Sequence, residues 1–235
     1  MGQSLELLSS AGPTPRGESG PDFWITCSGV ESPDANVALV ESHDPATLRH
    51  VLGVIDETKL PVTLVLAGSG RDVDLGDDWR HQGDMPLMEI SLSNRDFARD
   101  GRVRAASSSD VDAISELLAS AYSINREESD AVAAFAAWGR TDGTFWLLVD
   151  ERPVTTVFTT VIDDAVCVWS LATPEPYARR GYARALLDEV LARARDGGAR
   201  IGILAATPAG ELLYTHTGWR TIETWQLFTR SPATP

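Results

Sequence analysis

The chain has 235 residues, and its content of 43% hydrophobic and 23% charged residues is ordinary for a globular protein. Its net charge of −14 disfavours nucleic acid as a partner, because phosphate backbones select basic surfaces. No apolar run approaches the roughly 18 residues of a membrane span, and the first residues lack the pattern of a signal peptide, so we expect a cytoplasmic protein without a membrane partner.

The first part of the chain predicts a small α/β domain. Residues 1–20 are rich in Gly, Ser and Pro, lack periodicity and are predicted to form a disordered tail. Helical spacing of apolar residues from Thr47 to Ile55 predicts a helix, capped by Asp44 or Thr47. The polar residues 92–103 predict a linker. Short apolar runs predict four strands, at 23–27, 36–40, 61–67 and 85–91.

The second part shows clearer periodicity. The sequence SSSD at 107–110 precedes an amphipathic helix, and a second helix is predicted from Glu127 to Trp138. A third helix is predicted from Tyr182 to Arg195, ended by Gly197-Gly198, and a short fourth one from Glu211 to Thr217. Strands are predicted at 144–149, 153–161, 165–172 and 200–206, and residues 219–229 predict either a final pair of strands or one long strand. Asp163 and Asp164 lie between two of these strands and predict a hairpin turn there. The order of elements indicates an α/β or α+β domain.

One pattern occurs in both parts of the chain. Trp79-Arg80 is followed after six residues by Leu87-Met88, and Trp219-Arg220 is followed after six residues by Leu227-Phe228. Each pattern comes after an apolar run that predicts a buried strand. The match is either a coincidence or the trace of a duplicated half-domain whose first copy has diverged.

The segment 171–187, LATPEPYARRGYARALL, is the most informative for function. A predicted strand ends at Ala172, a loop follows, and a helix begins directly after Gly181. The first amides of a helix have no partner within it, and a glycine lets a ligand approach the backbone closely. Ala183 is nearly as small. Three arginines add positive charge: Arg179, Arg180 and Arg184. The segment predicts a cradle for phosphate or pyrophosphate, and the alternative is a surface loop with solvated arginines.

Two motifs resemble the GNAT N-acetyltransferase superfamily. YARRGYARALL is similar to the coenzyme A signature Q/R-x-x-G-x-G/A, with Gly181 and Ala183 at the small positions and Ala178 in place of Q/R. TPAGELLYTHTGW resembles a later segment of the family, with Tyr214 on the family's tyrosine and Thr207 in place of its asparagine. The resemblance covers about residues 102–230.

The resemblance implies a mixed, mostly antiparallel central sheet flanked by helices in an acetyltransferase domain at 101–235. Residues 21–100 would be a degenerate accessory domain of the same kind. The implied reaction moves the acetyl group of acetyl-CoA to an amine of a small molecule or peptide. Tyr214 would protonate the departing thiolate, and no metal is needed. The strand before the loop would splay from the next strand and bind the pantetheine arm. The implied cofactor-binding residues are Leu171, Ala172, Thr173, Arg179, Arg180, Gly181, Tyr182, Ala183, Arg184 and Thr207.

Other aspects of function stay open at the level of sequence. A tyrosine with a pKa near 10 can protonate a thiolate without being ionised itself at neutral pH. No general base is assigned among Glu175, Asp163, Glu223 and His216. The alternatives are a non-catalytic acyl-CoA-binding regulatory module and another kind of phosphate-binding protein. We expect a monomer or homodimer. Aromatic residues that would pack in the core or line the acceptor site are Trp146, Trp169, Phe135 and Trp138.

The acidic first part has a predicted role of its own. Residues 1–101 carry 17 acidic and 7 basic residues, and no glycine cradle precedes the helix at 47–55. We therefore expect this part not to bind acetyl-CoA. Its negative charge would attract a cationic amine to the acceptor site.

Overall fold

The structure is a computed structural model that describes residues 16–68, 73–134 and 143–230, without the side chain of Asp34. The chain divides into two compact units, one made of Met1–Leu87 and Thr221–Pro235 and the other of Met88–Arg220. No helix among the described residues is long and apolar enough to cross a membrane. Both cysteines, Cys27 and Cys167, are buried free thiols.

The first unit is a mixed sheet crossed by one helix. Helix α1 (Pro45–Thr58) connects two parallel strands, and the carboxylate of Asp44 accepts a hydrogen bond from the amide of Thr47 at its start. The apolar side of this helix packs on the sheet through residues that include Val51 and Ile55. The strands, in their order across the sheet, are β1 (Arg16–Gly20), β2 (Phe23–Cys27), β3 (Asn36–Val40), β4 (Val62–Leu66) and β11 (Arg220–Arg230).

The second unit has a larger sheet covered by four helices. Its strands, in spatial order, are the end of β5 (Arg80–Ser91, of which the residues up to Leu87 belong to the first unit), β10 (Ile201–Ala205), β9 (Ala165–Ala172), β8 (Arg152–Ile162), β7 (Gly143–Asp150) and β6 (Val103–Ala105). The pair β9–β10 is parallel, and the ladder from β9 to β6 is antiparallel. The helices are α2 (Val111–Tyr122), α3 (Arg126–Ala133), α4 (Tyr182–Asp196) and α5 (Pro208–His216). The expected fold class, a mixed and mostly antiparallel sheet flanked by helices, is confirmed.

Most predicted elements are confirmed, with longer or shifted ends. The hairpin turn at Asp163 is present, because β8 pairs with β9 on either side of it and Asp163 has a φ of +53°. Helix α4 ends at Gly197, as predicted. The last predicted strand is the single strand β11. The second predicted helix is described from Arg126 to Ala133, and its predicted remainder, with Phe135 and Trp138, lies outside the described residues.

Two predictions for apparently unstructured segments are wrong. Residues 16–20 of the predicted tail form β1, because their backbone pairs antiparallel with β2 from Arg16↔Cys27 to Gly20↔Phe23. The predicted linker 92–103 is fixed to the second unit. Its Leu92 is buried, Arg99 forms an ion pair with Asp196, and the amide of Asp100 donates to Glu189 at 3.1 Å. Polarity in this segment therefore reflects specific pairing with α4.

The division into units also differs from the predicted domain boundary near residue 101. The final strand β11 belongs to the first unit, where it pairs antiparallel with β4 from Gln226↔Leu66 to Arg230↔Val62. Conversely, Met88 and Ile90 at the end of β5 are in the hydrophobic core of the second unit. Each unit thus contains a strand from the other part of the sequence.

The start of α2 is held by a buried carboxylate. Asp110 accepts hydrogen bonds from Arg104 at 2.7 and 2.8 Å and from the amide and hydroxyl of Ser107 at 2.8 and 2.9 Å. These donors, Arg104 first, hold the pKa of Asp110 well below its usual range. The ionised form is therefore the one that stabilises the fold.

We predict that Asp110→Asn lowers the free energy of unfolding at pH 7 by about 1–3 kcal/mol, the value of hydrogen bonds to a charged group. Because folding lowers the pKa of Asp110, its contribution is present above the unfolded pKa near 3.9 and is lost as the pH falls. Denaturant unfolding should thus show a deficit that shrinks from pH 7 to pH 2. Asp112→Asn is the control, since that side chain is 90% exposed, and its effect should stay below about 1 kcal/mol.

Candidate functional site

The parallel strands β9 and β10 separate before either strand ends. Their pairing runs only from Ala165↔Ile201 to Cys167↔Ile203, whereas β9 continues to Ala172. The expected splay is therefore present. The last five residues of β9 have no partner on the β10 side, which leaves a cleft bordered by backbone groups.

A bulge in β9 lies beside this cleft. The register with β8 shifts between Thr156 and Phe158, which pair with Ala172 and Trp169. Ser170 lies within the bulge and has a φ of +51°, in the left-handed region that residues with a side chain rarely adopt. Bulges turn the strand and increase its twist, so this one redirects the last residues of β9.

The carbonyls at the end of β9 already accept hydrogen bonds within the protein. The hydroxyl of Tyr122 donates to the carbonyl of Leu171 at 3.0 Å, and that of Thr155 donates to the carbonyl of Ala172 at 2.8 Å. The hydroxyls of Thr155 and Thr173 are 2.7 Å apart. Each carbonyl oxygen has a second lone pair, so both retain the capacity to accept one more hydrogen bond.

The predicted cradle lies in the loop between β9 and α4. Arg179 and Gly181 both have left-handed backbones, with φ of +60° and +83°, and α4 begins at the next residue. No side chain caps the start of α4, so the amides of Tyr182, Ala183 and Arg184 face outward without a partner in the helix. The exposed residues here include Arg179, Arg180, Gly181 and Arg184.

The helix dipole and these amides together make the start of α4 suitable for an anion. Two of the predicted side chains also have contacts within the protein. Arg184 lies 3.7 Å from Asp188, and Tyr182 donates its hydroxyl to Asp150. That hydrogen bond to Asp150 raises the pKa of Tyr182, so the phenol stays protonated. For Tyr182, the amide is therefore the group presented to a ligand.

Thr207 and Tyr214 belong to one short helix, α5. Thr207 precedes it, and its hydroxyl accepts a hydrogen bond from the amide of Gly210 at 3.3 Å. Tyr214 is 8% exposed, and its ring packs edge-on against Trp219 with 5.8 Å between the centroids. Burial raises the pKa of Tyr214 to about 12, which keeps the hydroxyl protonated throughout the neutral range.

Tyr122 is a site residue that sequence analysis missed. It ends α2 and remains 41% exposed, but its hydroxyl contacts Leu171 and lies within electrostatic range of Tyr214. Burial first, and Tyr214 second, raise its pKa above the usual value. In the sequence, Tyr122 lies four residues after Leu118 and therefore on the apolar side of α2, which indicates that it faces the sheet. Tyr122 thus holds the end of β9 in place.

The four candidates for a general base are not brought together. Asp163 lies at the opposite end of β9, and Glu175 is exposed in the loop. His216 contacts the carbonyl of Leu212, and Glu223 accepts a hydrogen bond from Gly68 within the first unit. Across residues 16–68, 73–134 and 143–230, no three His, Cys, Asp or Glu side chains are placed to hold a metal ion.

The two candidate tryptophans differ in their surroundings. Trp146 packs against the core of the second unit, and its indole nitrogen donates to Thr159 at 2.9 Å. Trp169 pairs with Phe158 next to the bulge, and its buried indole nitrogen has no hydrogen-bond partner in the described part of the chain. Trp146 is therefore a core residue, whereas Trp169 lies at the edge of the cleft.

Comparison with known proteins agrees with this fold. Residues 111–215 match the model of the Acetyltransferase (GNAT) family. A GCN5-related N-acetyltransferase from Kribbella flavida has a similar structure, with a TM-score of 0.66, 17% identity and coverage of 97% of this chain and 93% of that one. One from Sphaerobacter thermophilus gives a TM-score of 0.56 at 15% identity, covering 91% of this chain and 81% of its own.

A functionally unknown conserved protein from Staphylococcus epidermidis is also similar, with a TM-score of 0.63, 12% identity and coverage of 93% of this chain and 94% of that one. No curated protein matches the sequence. At these identities, the structural similarities establish the fold alone.

We predict that Gly210→Ala lowers the free energy of unfolding by about 1–3 kcal/mol, as overpacking does. The added Cβ would lie 2.9 Å from Cε2 of the Tyr214 ring and 3.4 Å from the Thr207 hydroxyl, so the ring must move. Gly53→Ala on α1 is the matched control, since its Cβ meets nothing within 4 Å and should stabilise by about 0.5–1 kcal/mol. Denaturant unfolding of both variants tests this, and equal effects would contradict the packing of Tyr214.

Proposed function

Because residues 111–215 match the model of the Acetyltransferase (GNAT) family, we propose that the second unit transfers the acetyl group of acetyl-CoA to an amine. The acceptor is a small molecule or a peptide. The observation that carries the proposal is the splay of β9 from β10, directly followed by the uncapped start of α4. The splay offers an edge for an amide-containing arm, and the helix start offers a site for phosphates.

The cosubstrate would bind along this path. Its pyrophosphate would accept hydrogen bonds from the amides of residues 182–184, next to Gly181 and the charges of Arg179 and Arg180. Its pantetheine arm would pair with the backbone of residues 171–173, using the second lone pairs of the Leu171 and Ala172 carbonyls. Thr207 borders the other side of the cleft at the end of β10.

The proposed reaction is direct attack. The neutral amine nitrogen bonds to the thioester carbon, the carbon–sulfur bond breaks, and the sulfur takes the phenolic proton of Tyr214. Tyr214 regains a proton from water, and the nitrogen of the product releases one to water. Burial that raises the pKa of Tyr214 also destabilises a thiolate in the same cleft, so proton transfer during bond cleavage avoids a buried charge.

One observation favours a second candidate, the non-catalytic acyl-CoA-binding module. None of the four candidate bases, Glu175, Asp163, Glu223 and His216, is brought to the cleft. An alkylamine with a pKa near 10 would then have to lose its proton to water, at a cost of roughly 4 kcal/mol at neutral pH. Turnover with an amine library separates the two functions.

The first unit is proposed not to bind acetyl-CoA. Helix α1 follows its parallel strand β3 as α4 follows β9, but the carboxylate of Asp44 occupies the amide of Thr47 at its start. A carboxylate at this position repels the phosphates that the uncapped start of α4 would attract. The acidic surface of the first unit is proposed to attract the amine.

We predict that acetyl-CoA, but not ATP or NAD, raises the apparent Tm by roughly 5–10 °C at a hundredfold excess over Kd. Gly181→Ala should weaken acetyl-CoA binding at least tenfold, because a side chain strains the backbone at φ +83° and shifts the cradle amides. Gly198→Ala is the matched control. It imposes the same kind of strain, at φ +106°, on the other end of α4, and it should keep the full ligand-induced shift. The proposal would be falsified if acetyl-CoA gave no shift.

We predict that Tyr214→Phe lowers kcat by about tenfold or more while the Kd for acetyl-CoA changes less than twofold. The phenol is lost, but the ring that packs on Trp219 remains. Since the pKa of Tyr214 is about 12, the wild-type rate should rise with pH as the amine deprotonates, without a decline before about pH 11. Unchanged kcat in the variant would remove Tyr214 from the reaction and leave cosubstrate binding intact.

A further inference from the structure

A cavity of about 540 Å³ opens beside the cradle in the second unit. One wall is the turn between β7 and β8, with Asp150, Glu151 and Arg152. The other wall is the loop before α4, with Tyr177, Arg180 and Tyr182. Arg180 and Tyr182 flank Gly181, so the cavity begins where the phosphates of the cosubstrate are proposed to bind.

The charges around this cavity favour an anion. The guanidinium of Arg152 lies over the ring of Tyr177, 5.6 Å from its centroid. Arg180, on the opposite wall, interacts with the hydroxyl of Tyr182. A guanidinium that is stacked on a ring keeps its hydrogen-bond donors free for a phosphate, which it binds in a bidentate manner.

Carboxylates also line the cavity, and they differ in their pairing. Asp150 accepts the hydroxyl hydrogen of Tyr182 and lies 3.6 Å from Arg102, which offsets its charge. Glu151 is exposed at the turn and has a φ of +63°. The cavity thus presents the two guanidinium groups of Arg152 and Arg180, whose contacts are with tyrosines, against one exposed carboxylate, Glu151.

Resting on the proposed function, we infer that this cavity binds the 3′-phosphate of the coenzyme A nucleotide. The ligand class is a phosphomonoester on a ribose. The same ribose carries the pyrophosphate that is proposed to bind at the start of α4. Arg152 supplies a bidentate contact from the side of β8, and Arg180 supplies a second charge from the loop. The turn between β7 and β8 would therefore determine selectivity for coenzyme A over its 3′-dephospho form.

The test compares binding of acetyl-CoA and acetyl-3′-dephospho-CoA by calorimetry on the full chain. We expect the wild type to prefer the phosphorylated form about tenfold or more, and Arg152→Gln to reduce that preference to about threefold or less. Affinity for the dephospho form should change less than twofold in Arg152→Gln. Glu151→Gln should increase the preference, because it removes the carboxylate that opposes the phosphate.

Arg200→Gln is the control, since this 76% exposed arginine lies near Asp164, at the end of β9 away from the cradle. It should keep the wild-type preference. Equal affinity of the wild type for both ligands would overturn the inference and leave the proposed function standing. The inference would also be overturned if Arg152→Gln kept the wild-type preference for acetyl-CoA but had a raised KM for the amine. That result would assign the cavity to an acceptor with an acidic group. Failure of both ligands to bind the wild type would instead refute the proposed function, and the inference with it.

Discussion

The site depends on one interruption of backbone pairing, between β9 and β10. Buried backbone amides and carbonyls need partners, and parallel strands usually supply them along their whole length. Here the pairing stops at Cys167 and Ile203, and the bulge at Ser170 turns the remaining part of β9. Side chains from other elements then bind the exposed carbonyls of Leu171 and Ala172. The cleft exists because this edge has too few backbone partners of its own.

The two parallel strand–helix–strand connections show how a local difference changes what a helix start can bind. Helix α1 follows β3 and begins at the carboxylate of Asp44, which satisfies an amide of its first turn. Helix α4 follows β9 through a longer loop and begins at Gly181, without a capping side chain. The positive end of the helix dipole is therefore capped by a carboxylate in α1 and uncapped in α4.

Burial gives the tyrosines of the cleft a common property. Tyr122 and Tyr214 lie within electrostatic range of each other, and desolvation raises the pKa of both. Neutral phenols donate hydrogen bonds without adding charge to a buried site. Tyr122 donates its hydroxyl hydrogen to the carbonyl of Leu171 and so holds the end of β9. Tyr214 is the phenol that is proposed to protonate the thiolate.

The sequence by itself determined most of the elements and the start of α4 after a glycine, because apolar periodicity, caps and glycines act over a few residues. Helix α4 between Gly181 and Gly197, and strand β3 at 36–40, follow from such local signals. Only the tertiary structure decided the bulge at Ser170, the contact of Tyr122 with Leu171 and the pairing of β11 with β4.

These features join residues that are far apart in the chain. Apolar periodicity does not indicate which distant segment a strand will pair with or a side chain will contact. The segment 92–103 shows the same reason most simply. Its polar sequence is typical of a linker, but Arg99 finds its partner Asp196 on α4, 97 residues later. The sequence determines the chemistry of each residue, whereas the tertiary structure determines which distant residue it contacts.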